Sequence, residues 1–225
     1  MNDNLQCLDF RLLYQKALDA IKNDPQVMRE VERARILDPR STLPADFLRE
    51  YAWVVFNSGM KMQTIRRRWP GLQNAFKQWD HRAIVENEVE IRSSALQNLN
   101  HPGKVDAVIR LARMLSGQDW RVLKREILDS PIIVGGRNLM PPAQFFDFTT
   151  KLPWLKEANK RYFAKNLGFD LAKNDRHLRQ LASEYGYAED GESVQQFVEK
   201  VSECVCERIS VVETVLWNAC EKKAI

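Results

Sequence analysis

Apolar residues along the chain recur at spacings of three and four, and strict alternation of apolar and polar residues is almost absent. A period of this kind is typical of amphipathic α-helices. One clear stripe follows a His-Pro-Gly break at 101–103 and consists of Val105, Val108, Ile109, Ala112 and Leu115. The pattern therefore predicts an all-α fold of about nine or ten helices.

Local signals predict where several helices begin and end. Pro44 precedes an apolar stripe, and Gly59 ends it in the way a left-handed C-cap would. Near the C-terminus, Ser193 and Ser210 are each followed three residues later by Gln or Glu, which matches the capping box and predicts a helix start at each serine. The longest irregular stretch is expected at 129–143.

The size and composition of the chain favour a compact protein. Its 225 residues are 44% hydrophobic and 28% charged, which suffices for one domain or two intimate lobes. No run reaches the roughly 18 apolar residues of a membrane span, and the N-terminus lacks a basic flank followed by an apolar run. We therefore expect a protein of the cytoplasm with no membrane partner.

The cysteines and histidines do not match a metal site. The four cysteines fit neither a zinc ribbon nor an iron–sulfur cluster by their spacing, and they are Cys7, Cys204, Cys206 and Cys220. The 3 histidines are scattered, with no ligand spacing among them. We expect the cysteines to be reduced and structural, and we expect no protein-bound metal.

Positive charge is concentrated in one segment. The chain carries a formal net charge of +4 with a sequence pI of about 8.9, which is compatible with nucleic-acid binding without establishing it. Residues 151–176 contain seven basic and three acidic side chains, so this segment alone accounts for the whole excess.

The same segment contains the candidate chemistry. A short break at 152–156 precedes a helix that Gly168 ends, and a loop then leads into another helix, with Asp175 at the N-terminus of that helix. Aspartate is a preferred N-cap, so capping is the simplest role for Asp175 when spacing alone is considered.

Taken together, these residues resemble the helix-hairpin-helix (HhH-GPD) DNA glycosylases. Their hairpin reads Leu-Pro-Gly-x-Gly, where residues 152–156 read Leu-Pro-Trp-Leu-Lys, and their catalytic loop reads Pro/Val-Asp-x-His, where residues 174–177 read Asn-Asp-Arg-His. The resemblance covers about 50–219. Residues 166–170, 173–178 and 215–217 look closest to a sparsely characterised prokaryotic branch.

The resemblance implies a fold and a division of the chain. We expect a single compact all-helical unit over 1–225 in which two helical lobes flank a DNA-binding cleft. The hairpin lobe would span about 50–176, and the second lobe would combine 1–49 with 177–225.

The resemblance also assigns expected roles to individual residues. Residues 51–60 look like the helix and turn that insert a wedge into the minor groove. DNA contacts are accordingly expected from Asn57, Met60, Lys61, Trp154 and Arg176, although Met60 fits ordinary core packing equally well. His177 stands where the family has histidine and either supports the loop or serves packing alone.

Two departures from the family pattern bear on the chemistry. Trp154 and Lys156 replace the hairpin glycines, which in the family let backbone amides approach a phosphate closely. Here we expect Lys156 to offer a charged contact to that phosphate instead. In lyase-type members a nucleophilic lysine follows the second glycine, and here that position is Ala158. We therefore expect a monofunctional enzyme, with Lys156 or Lys160 as outside candidates for Schiff-base chemistry.

The implied activity is excision of a base from double-stranded DNA, with no cofactor and no obligate protein partner. Such an enzyme extrudes the nucleotide, and Asp175 then either stabilises the positive charge on the deoxyribose or activates water. The substrate would be an alkylated or oxidised base in repair, or a hypermodified, glucosylated cytosine of phage DNA in antiviral defence. Two other functions remain open, a non-catalytic helix-hairpin-helix DNA-binding protein and a helical scaffold without a DNA role.

Overall fold

A computed structural model describes residues 2–129, 131–134 and 138–225 of the chain. Over these residues the fold is all-helical except for one short β-hairpin, which confirms the predicted class. The helices are α1 (Asn2–Ile21), α2 (Pro25–Ile36), α3 (Pro44–Asn57), α4 (Met62–Ala75), α5 (His81–Glu86), α6 (Glu88–Asn98), α7 (Pro102–Ser116), α8 (Trp120–Ile127), α9 (Ala143–Thr150), α10 (Glu157–Asn166), α11 (Arg176–Glu184), α12 (Gly191–Val205) and α13 (Ile209–Glu221).

The number of helices exceeds the prediction of nine or ten, since thirteen α-helices occur among the described residues, with 3₁₀ turns at Pro39–Ser41 and Lys77–Trp79. Helices such as α5, with 6 residues, and α8, with 8, are too short to repeat an apolar stripe. Their existence depends on packing more than on a periodic pattern in the sequence.

The β-hairpin lies in the stretch that the sequence predicts to be irregular. Strand β1 (Ile132–Val134) pairs antiparallel with β2 (Asn138–Met140), with Ile133 opposite Leu139. Strands of 3 residues are too short for a recognisable alternation. Residue 130 and residues 135–137 of this stretch lie outside the described residues.

The chain divides into two compact units whose boundaries differ from the expected lobes. Unit 1 comprises Met1–Asp38, Ile132–Met140 and Ala164–Ile225, and unit 2 comprises Pro39–Pro131 and Pro141–Phe163. The expected lobes were 50–176 and 1–49 with 177–225. The end of α10 and the loop after it belong instead with the terminal helices, because Lys165 contacts Glu213 and Asp170 accepts a hydrogen bond from the backbone of Ser210.

Unit 1 is built around α13. Its apolar residues are buried almost without interruption, and the helix packs against α1, α2, α11 and α12. Phe10 of α1 and Phe197 of α12 meet edge to face in the same core, with ring centroids 5.8 Å apart. Helix α13 is thus buried on nearly all sides, as expected of the central helix of a bundle, although it includes the buried polar residues Ser210, Glu213, Thr214 and Asn218.

The cysteines correct one prediction. Cys7 of α1 and Cys204 of α12 form a disulfide with a Cα–Cα distance of 5.4 Å, whereas we expected all four cysteines to be reduced. Cys206 and Cys220 are the free thiols of the described residues. The pairing follows from the packing of α1 on α12, which joins positions 197 residues apart in sequence.

Unit 2 is built around α3 and α7, and both helices begin where the sequence predicts. Pro44 and Pro102 occupy their first turns, where a missing N–H costs nothing. Gly59, after α3, has φ +69°, so the predicted left-handed turn is confirmed. The buried face of α3 contributes Phe47, whose ring lies 5.0 Å from that of Phe163.

Two predicted helix starts are wrong. Asp190 caps α12, and its Oδ1 accepts hydrogen bonds from the N–H groups of Glu192 and Ser193, so the helix begins before Ser193. Helix α13 follows Arg208, and the N–H of Ser210 is already bound by Asp170. Asp190, three residues before Ser193, caps α12 as well as a serine would. The capping-box pattern at Ser193 does not reveal this earlier cap.

Candidate functional site

Unit 2 contains a helix, turn and helix at the predicted hairpin. Helices α9 and α10 are joined by residues 151–156, and within this turn Trp154 has φ +68°. Glycine is the residue usually found in the left-handed region, because it has no Cβ to meet the neighbouring backbone there. Trp154 occupies the first of the two positions where the resembling family has glycine. Lys156, at the second, does not share the left-handed conformation.

Contacts around Trp154 hold this backbone conformation in place. Its indole N–H donates to the carbonyl of Gly103 at 3.1 Å, and its ring meets that of His101 at 5.2 Å. The ammonium of Lys104 lies 5.5 Å from the ring centroid, within the range of a cation–π contact. These contacts offset a left-handed residue's cost of about 1–2 kcal/mol. The side chain remains 38% exposed.

Lys104 connects this hairpin to the turn that follows α3. Its buried ammonium donates to the carbonyl of Phe56 at 3.0 Å and to that of Ser58 at 2.5 Å, at the negative end of the helix. Burial lowers the pKa of Lys104. Asn159 makes a second link, because its amide donates to Trp154 O at 2.9 Å and to Ser58 Oγ at 3.3 Å.

The residues expected to form the wedge differ in what they present. The amide of Asn57 donates to Trp53 O at 2.8 Å, and its Oδ1 is buried without a hydrogen-bond donor among the described residues. Asn57 is therefore turned back toward its own helix. Met60 is half-buried, and Lys61 is the most exposed of the three.

The two lysines considered for Schiff-base chemistry have different surroundings. Lys160 donates to Thr150 Oγ1 at 2.8 Å and lies 3.8 Å from a carboxylate oxygen of Glu157, so its ammonium ties α10 to the end of α9. Lys156 is exposed on the turn. Lys160 thus serves the hairpin's own structure, and Lys156 is the one open to solvent.

Asp175, in unit 1, is the N-cap of α11. Its Oδ1 accepts hydrogen bonds from the N–H groups of His177 at 3.0 Å and Leu178 at 3.2 Å, so the capping interpretation is confirmed. Its Oδ2 accepts a hydrogen bond from the indole of Trp217 and lies 3.4 Å from the ammonium of Lys173. The side chain is 18% exposed, so the carboxylate is fixed in direction yet reaches the surface of its unit.

The side chains around Asp175 form one cluster. The Lys173 ammonium lies 5.1 Å from the centroid of the Trp217 ring, and the His177 ring meets Trp217 edge to face at 6.1 Å. Arg176 is exposed and lies outside these contacts. The structure thus brings Lys173, Asp175, His177 and Trp217 together, of which sequence reasoning had singled out Asp175 and His177.

A buried ion pair lies beneath this cluster. Lys165, whose side chain is 14% exposed, contacts the carboxylate of Glu213, which is 1% exposed. Burial lowers the pKa of Lys165 to about 7, the Lys173 ammonium acts in the same direction, and the Glu30 and Asp175 carboxylates oppose it. Sequence reasoning missed the pair. A glutamate flanked by the apolar residues of α13 was the available signal.

The loop that carries Asp175 is anchored at its start. The guanidinium of Arg208 donates to Leu37 O and to Gly168 O, both at 2.9 Å. Asp170 is fully buried, and its Oδ1 accepts the backbone N–H of Ser210 at 2.8 Å. Gly168 has φ +101°, and a Cβ there would lie 2.9 Å from the carbonyl carbon of Leu37. These contacts restrict the loop before it reaches Asp175.

A cavity of about 350 Å³ adjoins the cluster on the side of His177. It lies in unit 1 and is lined by His177, Gln180, Leu181, Glu184, Cys220, Glu221, Lys223 and Ile225. Burial raises the pKa of Cys220 to about 11, with Asp175 and Glu184 acting in the same direction. The thiol therefore stays protonated near neutral pH and is a poor nucleophile there.

No family model, curated protein or solved structure matches the chain. Within the described ranges, no group of three or more His, Cys, Asp or Glu side chains is arranged to hold a metal ion. No helix in the described part of the chain combines the length and the apolar character that a membrane span requires.

Proposed function

We propose that this chain is a monofunctional DNA glycosylase that flips a damaged or modified base out of double-stranded DNA and hydrolyses its bond to deoxyribose. Asp175 is the catalytic carboxylate in this proposal. The products are the free base and an abasic site, and the chemistry uses no cofactor.

The observation that carries the proposal is the backbone of the turn between α9 and α10. Trp154 is left-handed at the position where the glycosylase hairpin has glycine, although tryptophan is among the residues least suited to that conformation. A carboxylate at the N-terminus of the next helix, α11, completes the order of elements that the resemblance implies. The left-handed backbone of Trp154 supports the resemblance, because the sequence has no glycine there to suggest that conformation.

The surroundings of Asp175 suit an electrostatic role. Departure of the base builds positive charge on the deoxyribose, and a carboxylate already fixed in direction lowers that barrier without reorganising. Three hydrogen-bond donors fix the carboxylate, from His177, Leu178 and Trp217. In the hairpin, exposed Lys156 offers a charged contact to a phosphate, and Lys61 and Arg176 are further exposed cations for the DNA backbone.

The substrate belongs to one of two classes under this proposal. Alkylated or oxidised bases would make the protein a repair enzyme. A hypermodified, glucosylated cytosine of phage DNA would make it an antiviral enzyme.

The experiment offers the purified protein duplexes that each carry one altered base, together with phage DNA containing glucosylated cytosine. Excision is read as strand breaks that appear after alkali treatment. We expect breaks with at least one substrate, none without alkali, and none with Asp175→Asn. Full activity of Asp175→Asn would refute the assignment of Asp175, and breaks without alkali would contradict the absence of a lyase step.

A second candidate is a non-catalytic DNA-binding protein that uses the hairpin as a phosphate anchor. It is favoured by the N-cap hydrogen bonds, which give Asp175 a structural role without chemistry. This candidate predicts salt-dependent duplex binding and no excision from any substrate of the panel.

A further inference from the structure

We propose that Trp217 is a positioning residue that fixes the second oxygen of Asp175 toward the reacting sugar. This inference rests on the proposed function. Trp217 lies on α13, 42 residues beyond Asp175 in sequence, and no chemical role follows for it from the hairpin or the loop.

The N-cap bonds alone leave the carboxylate only partly restrained. Both backbone donors, from His177 and Leu178, go to Oδ1. A carboxylate held at one oxygen can still rock about that oxygen and swing the other through an arc. The capping role therefore fixes where Asp175 is, but not where Oδ2 points.

Trp217 supplies the missing restraint. Its indole N–H donates to Oδ2, and the rigid bicyclic ring has only two side-chain torsions through which it can move. The ring is itself held, since the His177 ring meets it edge to face at 6.1 Å between centroids and the Lys173 ammonium lies 5.1 Å from its centroid. The buried residues of α13 on either side fix the backbone beneath it.

Lys173 completes the arrangement from the solvent side. Its ammonium lies 3.4 Å from Oδ2 and also contacts the Trp217 ring, so it draws the carboxylate and the indole together. Both oxygens of Asp175 are then engaged by fixed donors. Such a group acts better as a preorganised negative charge than as a base that must turn to accept a proton from water.

Trp217→Phe tests the inference, because it keeps an aromatic ring and removes the indole N–H. We expect the single-turnover excision rate to fall about 10- to 100-fold, the range that one charge-assisted hydrogen bond is worth. Duplex affinity should stay close to that of the wild type, and melting temperature should fall by no more than about 3–12 °C, the effect of one lost charge-assisted hydrogen bond. The matched control is Trp69→Phe, the same change at a half-buried tryptophan of unit 2, which should leave the rate unchanged.

The indole N–H resonance of Trp217 provides a readout independent of activity. It is identified in a ¹H–¹⁵N spectrum as the one of six indole signals that Trp217→Phe removes. In Asp175→Asn it should move upfield, because the single amide oxygen stays on the cap N–H groups and the NH2 group then faces the indole, which loses its acceptor. An unmoved resonance would show that the hydrogen bond is absent and would overturn the inference.

The outcomes separate this inference from the proposed function. A wild-type rate in Trp217→Phe with an inactive Asp175→Asn overturns the positioning role and leaves the glycosylase proposal standing. A rate that falls together with duplex affinity, or with a larger loss of melting temperature than one hydrogen bond explains, also overturns it, since Trp217 would then only support the fold. A fully active Asp175→Asn refutes the assignment of Asp175, and no excision by the wild type refutes the proposed function. In both cases the resonance still tests the contact.

Discussion

Replacing Asp175 by asparagine separates the two tasks of its carboxylate, capping α11 and lowering the barrier to base release. Asparagine caps a helix about as well as aspartate, so the hydrogen bonds to the N–H groups of His177 and Leu178 can persist. The negative charge is lost. The same substitution therefore keeps the cap and removes the charge on which catalysis depends.

The magnitudes follow from the contacts. In Asp175→Asn, loss of the charge at the helix N-terminus should cost about 0.3–1 kcal/mol of unfolding free energy, and loss of the indole hydrogen bond about 1.5–3 kcal/mol more. Asp175→Ala also loses the cap and should cost about 1–2 kcal/mol beyond that. For a chain of this size each kcal/mol corresponds to roughly 2–4 °C in melting temperature. The excision rate should fall at least about 100-fold in both variants.

Asp190 provides the matched control. It caps α12 in the same unit with the same pattern of bonds, and hydrogen bonds from Ser193 hold the pKa of its carboxyl below the usual range. Asp190→Asn and Asp190→Ala should repeat the order of thermal stability without changing the excision rate. Urea or thermal unfolding and single-turnover excision are the two measurements. Equal excision by Asp175→Asn and Asp190→Asn would contradict the catalytic role.

Three further predictions concern the scaffold. Gly186→Ala, with φ +82° and open space, should cost about 1–2 kcal/mol in urea unfolding for the conformation alone, and Gly168→Ala should cost about 1–3 kcal/mol more than that, because its Cβ would also clash with backbone. Equal losses would contradict the close contact. Thiol titration of unfolded protein should find two free thiols before reduction and four after it, and four thiols without reductant would exclude the disulfide. Cys7→Ser removes the cross-link to Cys204 and should lower the free energy of unfolding by about 2–5 kcal/mol. Lys104→Met loses two hydrogen bonds to carbonyls and should lower the free energy of unfolding in urea by about 1.5–3 kcal/mol. Unchanged stability would show that these bonds contribute nothing.

Elements with a local cause could be predicted from the sequence. Helix α3 has a proline in its first turn and a left-handed glycine two residues past its end, and both signals act within a few residues. The N-cap position of Asp175 was predictable for the same reason, since a capping side chain binds N–H groups only two and three residues away. The helical class followed from periodicity alone.

Features that depend on distant packing could not be predicted in this way. The spacing of the cysteines does not reveal their connectivity, which depends on α1 lying against α12. The contact of Lys165 with Glu213 and that of Asp175 with Trp217 likewise join residues more than 40 positions apart. The site around Asp175 is therefore a product of tertiary structure, although the residue at its centre was visible in the sequence.

Most of unit 1 comes from segments on either side of unit 2 in sequence, and this has a consequence for biosynthesis. Helix α1 leaves the ribosome before unit 2, whereas its partners α12 and α13 leave after it. At about 5–20 residues per second, roughly 10–40 s separate the two events. During that interval the apolar side of α1, with Phe10 and Ala17, has nothing to cover it in its own bundle. A nascent chain halted before α12 should therefore be a client for chaperones, even where unit 2 has already folded.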